Sequence, residues 1–357
     1  MRWDNLSLDG GDDGEDGVGG GREAAALPLF GQDAVVTRTF DTPEFRGMTF
    51  HEVRARTVLN RVPEVPGTPG GWTLNPYRGC SHACVYCFAR ASHGYLGLDA
   101  GLDFDTQIVV KVNAPELVRR ELARRGRPGD HVAMGTNVDC YQRAEGRYRL
   151  MPGILAALRD HRVSFSILTK GTLILRDLEL LRQAAEHATV ETAVSVGFTD
   201  PGLWRALEPG SPSPQARLEV CRRLNESGIP CAVIMSPIVP YLSDSPDRLR
   251  ATVRAVAESG AVSIAPEVMY LRPGSREWFM SWLAEHHPGL TSRYEALYAG
   301  GAYAPRWYQR RILERVGELS AEYGCPPPRT FHTGKPPEWP AAQEPPEDTG
   351  PTQLTLL

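Results

Sequence analysis

Short apolar runs alternate with amphipathic stretches along most of the chain. The apolar runs are typical of buried strands, while the stretches between them repeat apolar residues three and four positions apart, as helices do. The pattern predicts strands near residues 72–75, 107–112, 131–135, 163–169, 189–197, 230–235 and 262–270. It predicts helices near residues 114–125, 152–160, 175–186, 213–227, 247–259, 275–286 and 305–323.

This alternation predicts the fold class. Strands that alternate with helices form an α/β fold with a parallel sheet and right-handed crossovers. About six such units fit either an open doubly wound sheet or a full or partial βα barrel. In both folds functional side chains collect at the carboxyl ends of the strands, so the residues after each predicted strand are the candidates for chemistry.

The two ends of the chain differ in composition from its middle. Residues 1–40 form a Gly- and Asp-rich tail with a short lead-in, and residues 326–357 are Pro-rich. Such segments bury too little apolar surface to offset the entropy of ordering, so we expect both to be disordered. Residues 41–325 are then one core domain.

Charge and hydropathy exclude two classes of protein. The formal net charge is -4, and the six acids and two arginines of residues 1–22 match it, so no strongly cationic coat is present, although local patches are possible. No stretch approaches the ~20 apolar residues of a membrane span, and the N-terminus is too polar for a signal peptide. We therefore expect a cytoplasmic protein with no membrane partner, in which the seven cysteines are thiols or metal ligands.

Three cysteines follow the first predicted strand. Cys80, Cys84 and Cys87 stand in a C-x3-C-x2-C spacing within the run WTLNPYRGCSHACVYCFAR. Three thiolates this close can hold one soft metal centre, and a 4Fe–4S cluster normally takes four. With three, one iron is left open, which is the arrangement needed to bind the amino and carboxylate groups of S-adenosylmethionine (SAM).

Zinc is the alternative metal. His82 or His93 could complete a Cys3His tetrahedral site beside the three cysteines. Structural zinc sites usually pair two short ligand clusters that lie far apart in sequence, and the chain has no second C-x2-C motif. The spacing therefore favours iron and sulfur over zinc.

The cysteine spacing, with Tyr86 just before the last cysteine, resembles the signature of the radical SAM superfamily. The resemblance implies a partial (β/α)6 TIM-type barrel with a 4Fe–4S cluster on Cys80, Cys84 and Cys87, and with Tyr86 near the adenine of SAM. It also implies reductive cleavage of SAM to a 5′-deoxyadenosyl radical that abstracts hydrogen from a substrate. The electron would come from a reductant such as ferredoxin or flavodoxin.

The residues after the strand near 131–135 resemble one branch of that superfamily. Thr136 and Asn137 follow Gly135 where many members carry Gly-Gly-Glu to hold the methionyl amino group, so both are candidate SAM ligands. The longer element is similar to the T-D-x-Y-Q-x-x-E string of the spore photoproduct lyase-like branch. Its matching residues are Thr136, Asp139, Tyr141, Gln142 and Glu145. Cys140 and Arg143 depart from it, since prolines occupy their positions in that branch.

Cys140 places a thiol near this loop. Spore photoproduct lyases use a cysteine as hydrogen-atom donor to a carbon radical, so Cys140 is the candidate catalytic residue. The alternative is that Cys140 is a small hydrophobic side chain packed beneath the loop.

Three further residues at strand or helix ends are candidate SAM ligands. Lys170 ends an apolar strand in a chain with only three lysines, and the matching lysine of the family contacts SAM; a surface lysine closing a turn is the alternative. Ser195 ends the next strand and could bind the ribose or carboxylate of SAM. Arg217, in a run EPGSPSPQAR that resembles another element of the branch, is expected to clamp the SAM carboxylate. A structural ion pair with Glu208 is the alternative.

Two features bear on the substrate. Arginines recur on the predicted helices at 114–125 and 305–323, where they either contact phosphates or form solvated faces. The last residues, Gln353–Leu357, resemble the Q-L-x-L-F peptide by which bacterial repair proteins bind the sliding clamp, with Leu in place of Phe; a frayed tail is the alternative. Clamp docking would favour DNA as the substrate.

The sequence therefore predicts a radical SAM enzyme whose substrate it does not identify, and the first hypothesis is a DNA lesion repaired by lyase-type chemistry. Radical modification of tRNA, a protein or a metabolite is a second hypothesis. A non-catalytic iron–sulfur or zinc sensor module is a third. Lys170, Ser195 and Arg217 argue against it, because a metal-binding module needs no such set at the strand ends.

Overall fold

The computed structural model describes residues 35–62, 71–125 and 131–325. Most of the two predicted tails, including Gln353–Leu357, lies outside these residues. Within the predicted lead-in, residues 35–38 form the first strand. The strands are β1 Val35–Arg38, β2 Thr49–Val53, β3 Leu59–Val62, β4 Gly71–Leu74, β5 Tyr77–Arg78, β6 Gln107–Lys111, β7 His131–Met134, β8 Ser164–Thr169, β9 Val190–Ser195, β10 Cys231–Ile238 and β11 Ile264–Val268.

A seven-stranded sheet forms the centre of the fold, in the order β11-β10-β9-β8-β7-β4-β3. The six strands from β4 to β11 in this order run parallel, and β3 pairs antiparallel with β4 at the edge. Six parallel strands with helical crossovers form the predicted partial (β/α)6 barrel. Helices cover the sheet, and for this reason strands such as β9 are buried along nearly their whole length.

One predicted strand belongs elsewhere. The strand predicted near 107–112 is β6, and it lies in a separate four-stranded sheet of order β1-β2-β6-β5. It pairs parallel with β2 over Thr49–Val53 and antiparallel with the short β5. The prediction of a strand was confirmed, but its place in the central alternation was wrong. This second sheet packs beside the barrel and carries the segment that leads into the cysteines.

Eleven α-helices are present in the described ranges. They are α1 Leu102–Thr106, α2 Ala114–Arg125, α3 Arg143–Tyr148, α4 Leu150–Asp160, α5 Leu178–Ala185, α6 Pro201–Leu207, α7 Pro214–Glu226, α8 Pro246–Glu258, α9 Ser275–His286, α10 Thr291–Leu297 and α11 Arg306–Glu322. Three segments are 3-10 helices, at Phe88–Leu96, Thr172–Asp177 and Pro288–Leu290.

The starts of three crossover helices follow one sequence rule. The Ser213 and Ser245 hydroxyls and the Asp200 carboxylate accept hydrogen bonds from backbone N–H groups in the first turns of α7, α8 and α6. A proline stands at the next position in each helix, where its fixed φ suits the first turn and its missing N–H costs nothing. These caps fix where each loop from the carboxyl end of a strand turns into its helix.

None of the helices in the described ranges has the length and apolar character needed to cross a membrane.

Candidate functional site

One cavity opens at the carboxyl ends of the parallel strands. Its wall contains the residues that follow β7 and β8, the last residue of β9, part of β10 and the end of β11. The loop after β5 closes one side with three cysteines. The predicted site residues that line the cavity are Cys80, Cys84, Tyr86, Cys87, Thr136, Asn137, Lys170 and Ser195. Residues spread over more than a hundred positions of sequence therefore meet at one place.

The cysteine loop is held from several sides. Gln142 bridges it, because its side-chain oxygen accepts from the Ser81 N–H at 2.9 Å and its nitrogen donates to the Gly79 carbonyl at 2.9 Å. Gly210 approaches from the loop after α6 and donates its N–H to the His82 carbonyl at 3.0 Å. A Cβ on Gly210 would lie only 2.1 Å from the Ser81 carbonyl oxygen, so this approach requires glycine.

Arg90 is a buried anchor of the same loop. Its guanidinium donates to the Cys84 carbonyl from Nε at 3.1 Å and from Nη2 at 2.9 Å. Nη2 also contacts both carboxylate oxygens of Asp105, at 2.9 and 3.0 Å. An arginine with no exposed surface is tolerated because its charge is paired and its donors are used. The sequence does not predict this role of Arg90, because it does not show that the Asp105 carboxylate, fifteen residues later, lies beside the guanidinium.

The three thiols are costly to ionise in the absence of a cation. Burial raises the pKa of Cys80 and Cys87, and it raises the pKa of Cys84 to about 12 although the Lys170 ammonium opposes it. A metal centre reverses this effect, because thiolates are stabilised by coordination. The three thiols are therefore suited to binding a soft metal centre that carries positive charge.

Asp139 organises the loop after β7 and joins it to β8. Its Oδ1 accepts from the Tyr141 N–H at 2.8 Å and from the Thr169 hydroxyl at 2.7 Å, and its Oδ2 accepts from the Lys170 N–H at 2.6 Å. The His82 imidazole lies 3.3 Å from Oδ2. Burial raises the pKa of Asp139, but His82 and these hydrogen bonds outweigh burial and hold it at about 2. The carboxylate thus fixes the backbone from which Lys170 projects.

Gly135 explains how β7 and β8 approach each other at the cavity. Its φ is +77°, and a Cβ there would lie 1.8 Å from the Leu168 carbonyl oxygen. Only glycine fits this conformation and this separation. Thr136 and Asn137 follow it directly and are carried into the cavity wall.

Arg217 and Glu208 form a buried ion pair behind the cavity. The Arg217 Nη2 donates to Glu208, while Nη1 and Nε donate to the Ser195 and Pro212 carbonyls at 2.7 and 3.0 Å. The Tyr86 hydroxyl donates to the other oxygen of Glu208. Each charged residue is 1% exposed. The structure places Arg217 in an ion pair with Glu208 and outside the cavity wall, and its clamp on the SAM carboxylate stays a prediction.

Ser195 stands in the wall with its hydroxyl bonded to the neighbouring strand. Its Oγ donates to the Ser236 carbonyl at 2.8 Å, which leaves the oxygen lone pairs as acceptors towards the cavity. Lys170 Nζ lies 5.9 Å from the centre of the Tyr86 ring, so the ammonium and the aromatic face are neighbours in the same wall.

Comparison with known proteins gives a family and a fold. The family model of the Radical SAM superfamily matches residues 74–253. An uncharacterized protein of Mycobacterium tuberculosis H37Rv is 46% identical over 91% of this chain and 94% of its own length. An uncharacterized protein of Methanocaldococcus jannaschii is 30% identical over 54% of this chain and 69% of its own.

This chain belongs to the radical SAM superfamily. Among solved structures, spore photoproduct lyase complexed with dinucleoside spore photoproduct has a similar fold, with a TM-score of 0.56 over 77% of this chain and 79% of that one at 14% identity. A mutant of that lyase with bound AdoMet gives a TM-score of 0.57 at 13% identity, over the same shares of the two chains. At these identities the similarity establishes the fold.

The cofactors of this radical SAM protein are a 4Fe–4S cluster and SAM, and the described residues fit them. In the described ranges, no group of three or more His, Cys, Asp and Glu side chains is gathered closely enough to hold one metal ion. Three cysteine thiols that line one cavity suit a 4Fe–4S cluster, in which each thiolate binds a different iron.

The two histidines of the zinc alternative have other partners. His82 Nδ1 lies beside Asp139, and His93 is fully buried with its Nε2 3.0 Å from the Gln107 carbonyl oxygen. The His93 ring also packs edge-on against Phe104, with 5.2 Å between ring centres. Neither histidine is arranged with the cysteines around a common ion.

Cys140 is fully buried beneath the loop after β7. Its side chain is part of the hydrophobic core and is not among the residues of the cavity wall. Burial raises the pKa of its thiol, with the Asp139 and Glu145 carboxylates adding to the effect. The thiol is thus packed among core side chains, and the role of Cys140 as hydrogen-atom donor stays a prediction.

Proposed function

We propose that this radical SAM protein is an enzyme that cleaves SAM reductively and abstracts hydrogen from a substrate held over the same cavity, and that the substrate is a DNA lesion opened by lyase-type chemistry. The observation that carries the proposal is the convergence of three thiols, Tyr86, Lys170 and Ser195 on one cavity at the strand ends. When bound, the reduced cluster supplies one electron to the SAM sulfonium and so generates the 5′-deoxyadenosyl radical.

The residues of the chain bind and orient these cofactors. Cys80, Cys84 and Cys87 hold the cluster, and the hydrogen bonds that fix their loop keep the three thiolates on one side of it. Lys170 supplies a positive charge for the SAM carboxylate. Ser195 offers its lone pairs to a ribose hydroxyl.

Two more groups complete the SAM site. Thr136 and Asn137 bind the methionyl amino group in place of a carboxylate. Tyr86 packs against the adenine, and its hydroxyl is fixed by Glu208, so the ring plane cannot turn freely. Arg217 acts through Glu208 and is a positioning residue in this account.

A DNA lesion is favoured as substrate by the similar fold of spore photoproduct lyase, which was solved in complex with dinucleoside spore photoproduct. The branch-specific element supports the framework of the site: Asp139 binds the Lys170 backbone, Tyr141 donates to Asp177 at 3.0 Å, Gln142 holds the cysteine loop, and Glu145 accepts from Tyr77 at 2.6 Å.

Deuterium transfer tests the substrate. Damaged oligonucleotides deuterated at candidate positions would be incubated with reduced enzyme and SAM, and 5′-deoxyadenosine would be analysed by mass spectrometry. Deuterium in 5′-deoxyadenosine from a damaged strand, and none from the undamaged strand, is expected. Deuterium from deuterated tRNA, protein or metabolite extracts alone would contradict the DNA proposal in favour of radical modification.

We also propose partners for the reaction. Ferredoxin or flavodoxin supplies the electron in the cytoplasm, and Gln353–Leu357 docks on the sliding clamp. A pull-down with purified clamp, using the full chain and a chain without the last five residues, tests the docking. Capture by both chains, or by neither, would contradict it.

A further inference from the structure

Aromatic side chains continue from the cavity to the protein surface on the β11 side. Phe88 and Tyr270 belong to the cavity wall, with 5.6 Å between their ring centres. The Tyr303 ring lies 5.5 Å beyond Tyr270, with 34° between the two planes. Tyr303 is 54% exposed. The three rings thus form a row that leads outward from the site.

Arg272 flanks this row. Its Cζ lies 5.2 Å from the centre of the Tyr270 ring, and its Nη2 donates to the Tyr303 hydroxyl at 3.2 Å. In the described ranges Arg272 has no ion pair with a carboxylate, and its side chain is exposed. An exposed guanidinium beside the exposed Tyr303 ring suits a ligand that has both a planar ring and a negative charge.

The backbone under these residues is rigid. Tyr270 and Tyr303 form an isolated antiparallel bridge, and the Leu271 N–H donates to the Ala302 carbonyl at 2.8 Å. The two rings therefore keep their separation without a ligand. A preformed platform of this kind loses little entropy when a flat molecule stacks on it.

Glu267 adds an acceptor on the cavity side of the row. It lines the cavity, and its Oε2 accepts from the Ser236 hydroxyl at 2.6 Å. Carboxylate oxygens can accept hydrogen bonds from the N–H edge of a nucleobase. The same charge repels a phosphate, so a phosphate belongs on the Arg272 side and a base edge on the Glu267 side.

We infer that Tyr270, Tyr303 and Arg272 form a platform that stacks one unpaired nucleobase of a single-stranded nucleic acid and binds its phosphate at the mouth of the cavity. The inference rests on the proposed function, because it places the substrate beside the radical. Bases in a duplex present no free faces, so the platform requires a single strand or an extruded nucleotide. Tyr303 and Arg272 lie outside the cavity wall, and no role in holding the cluster or SAM is proposed for Tyr270.

Oligonucleotide binding tests the platform. Fluorescein-labelled dT12 and U12, and a 12-base-pair DNA duplex, would be titrated with anaerobically reconstituted full-length protein at several salt concentrations, and fluorescence anisotropy would be measured. We expect both single strands to bind more tightly than the duplex, with a preference for one of them identifying the sugar. Tyr303→Ala should weaken binding about tenfold, and Tyr303→Phe should bind within about twofold of wild type, because stacking uses the ring.

Arg272 is tested by the salt dependence. Arg272→Ala should weaken binding and reduce the slope of log K against log salt by about 0.7, as expected for loss of one phosphate contact to a single strand. Matched controls are Tyr95→Ala, which removes an aromatic ring that is 55% exposed outside the cavity wall, and Arg254→Ala, on the outer face of α8. Both controls should bind as wild type does.

The outcomes separate this inference from the proposed function. Wild-type protein that releases 5′-deoxyadenosine from SAM but binds neither single strand overturns the platform and leaves the function. Protein that binds single strands through Tyr303 and Arg272 but never releases 5′-deoxyadenosine overturns the function and leaves the platform. Equal losses in the Tyr303 and Tyr95 variants would also overturn the platform.

Discussion

Glu208 and Arg217 are ionised groups that water hardly reaches, and they support Tyr86 from behind. Burial raises the pKa of Glu208, but Arg217 and Lys170 outweigh burial and lower it overall. Glu208→Gln would keep the shape of the side chain and leave the Arg217 guanidinium buried without its counter-ion. Breaking such a pair costs about 3–5 kcal/mol. We expect a loss of that size in the free energy of urea unfolding, measured anaerobically by circular dichroism.

The matched control for this variant is Glu219→Gln on α7, the helix that carries Arg217. Glu219 pairs with Arg222 at 2.5 Å, but both side chains are almost half exposed. Solvent screens this pair, so the control should unfold as wild type does. A Glu208→Gln protein as stable as the control would show that the buried pair is not a structural support.

A substitution of Lys170 tests SAM binding separately from cluster binding. Its backbone is fixed by Asp139, so Lys170→Gln should leave the fold and the iron content unchanged while removing the positive charge that we propose binds the SAM carboxylate. Loss of one charge-assisted hydrogen bond is worth about 1.5–3 kcal/mol, so the apparent KM for SAM should rise at least about tenfold. Initial rates of 5′-deoxyadenosine release at varied SAM concentration measure this. Arg182→Gln, an exposed change on α5, is the control, and an equal KM in both variants would contradict the assignment.

Glu191 predicts a pH dependence at the other end of the barrel. Burial raises the pKa of its carboxyl to about 7. The native state then holds a proton between about pH 4.5 and 7 that the unfolded chain has lost, so stability falls as the pH rises through this window. Because the group is half exposed, we expect the free energy of unfolding to fall by only about 1 kcal/mol from this cause between pH 5 and 8. In Glu191→Gln, the free energy of urea unfolding should lack this part of its dependence on pH. An unchanged pH dependence would contradict the raised pKa of Glu191.

The loop after α6 is the element that shapes the cysteine loop. Gly210→Ala would place a methyl group 2.1 Å from the Ser81 carbonyl oxygen, so one of the two loops must move. Displaced thiols should hold the cluster poorly, and we expect the iron content per chain to fall by half or more after reconstitution. Gly317→Ala on α11 meets nothing within 4 Å and serves as the control. Equal iron in the two variants would show that the loop contact is dispensable.

The elements of the barrel were largely predictable because each buried strand carries a run of apolar residues between helical stretches. The second sheet was not. The strand Thr49–Val53 mixes polar and apolar residues in five positions, and β5 has only two residues, so neither produces a pattern above the background. For the same reason β6, whose apolar run was detected, was assigned to the wrong sheet.

At the scale of the whole molecule, the candidate site also has a part that could be predicted from the sequence and a part that could not. Local spacing singled out the cysteines and Tyr86, and the strand-end rule singled out Lys170 and Ser195, all of which line the cavity. Arg217 was placed by its resemblance to a motif and Cys140 by its position in the loop after β7, and whether such a side chain faces a cavity or the core depends on contacts distant in sequence. Arg90 and Asp139 were missed as site supports because their partners, Asp105, His82 and the Lys170 backbone, become neighbours only in the folded chain.

Reductive cleavage of SAM by the intact protein is the central claim to test. Anaerobically reconstituted wild-type protein and Cys84→Ala would be reduced with dithionite in the presence of SAM, and iron content and 5′-deoxyadenosine would be measured together. We predict about four irons per wild-type chain and release of 5′-deoxyadenosine, with both lost in Cys84→Ala. A wild-type protein that carries the full cluster and releases no 5′-deoxyadenosine would contradict the enzymatic account, and a colourless protein loaded with zinc would contradict the cluster itself.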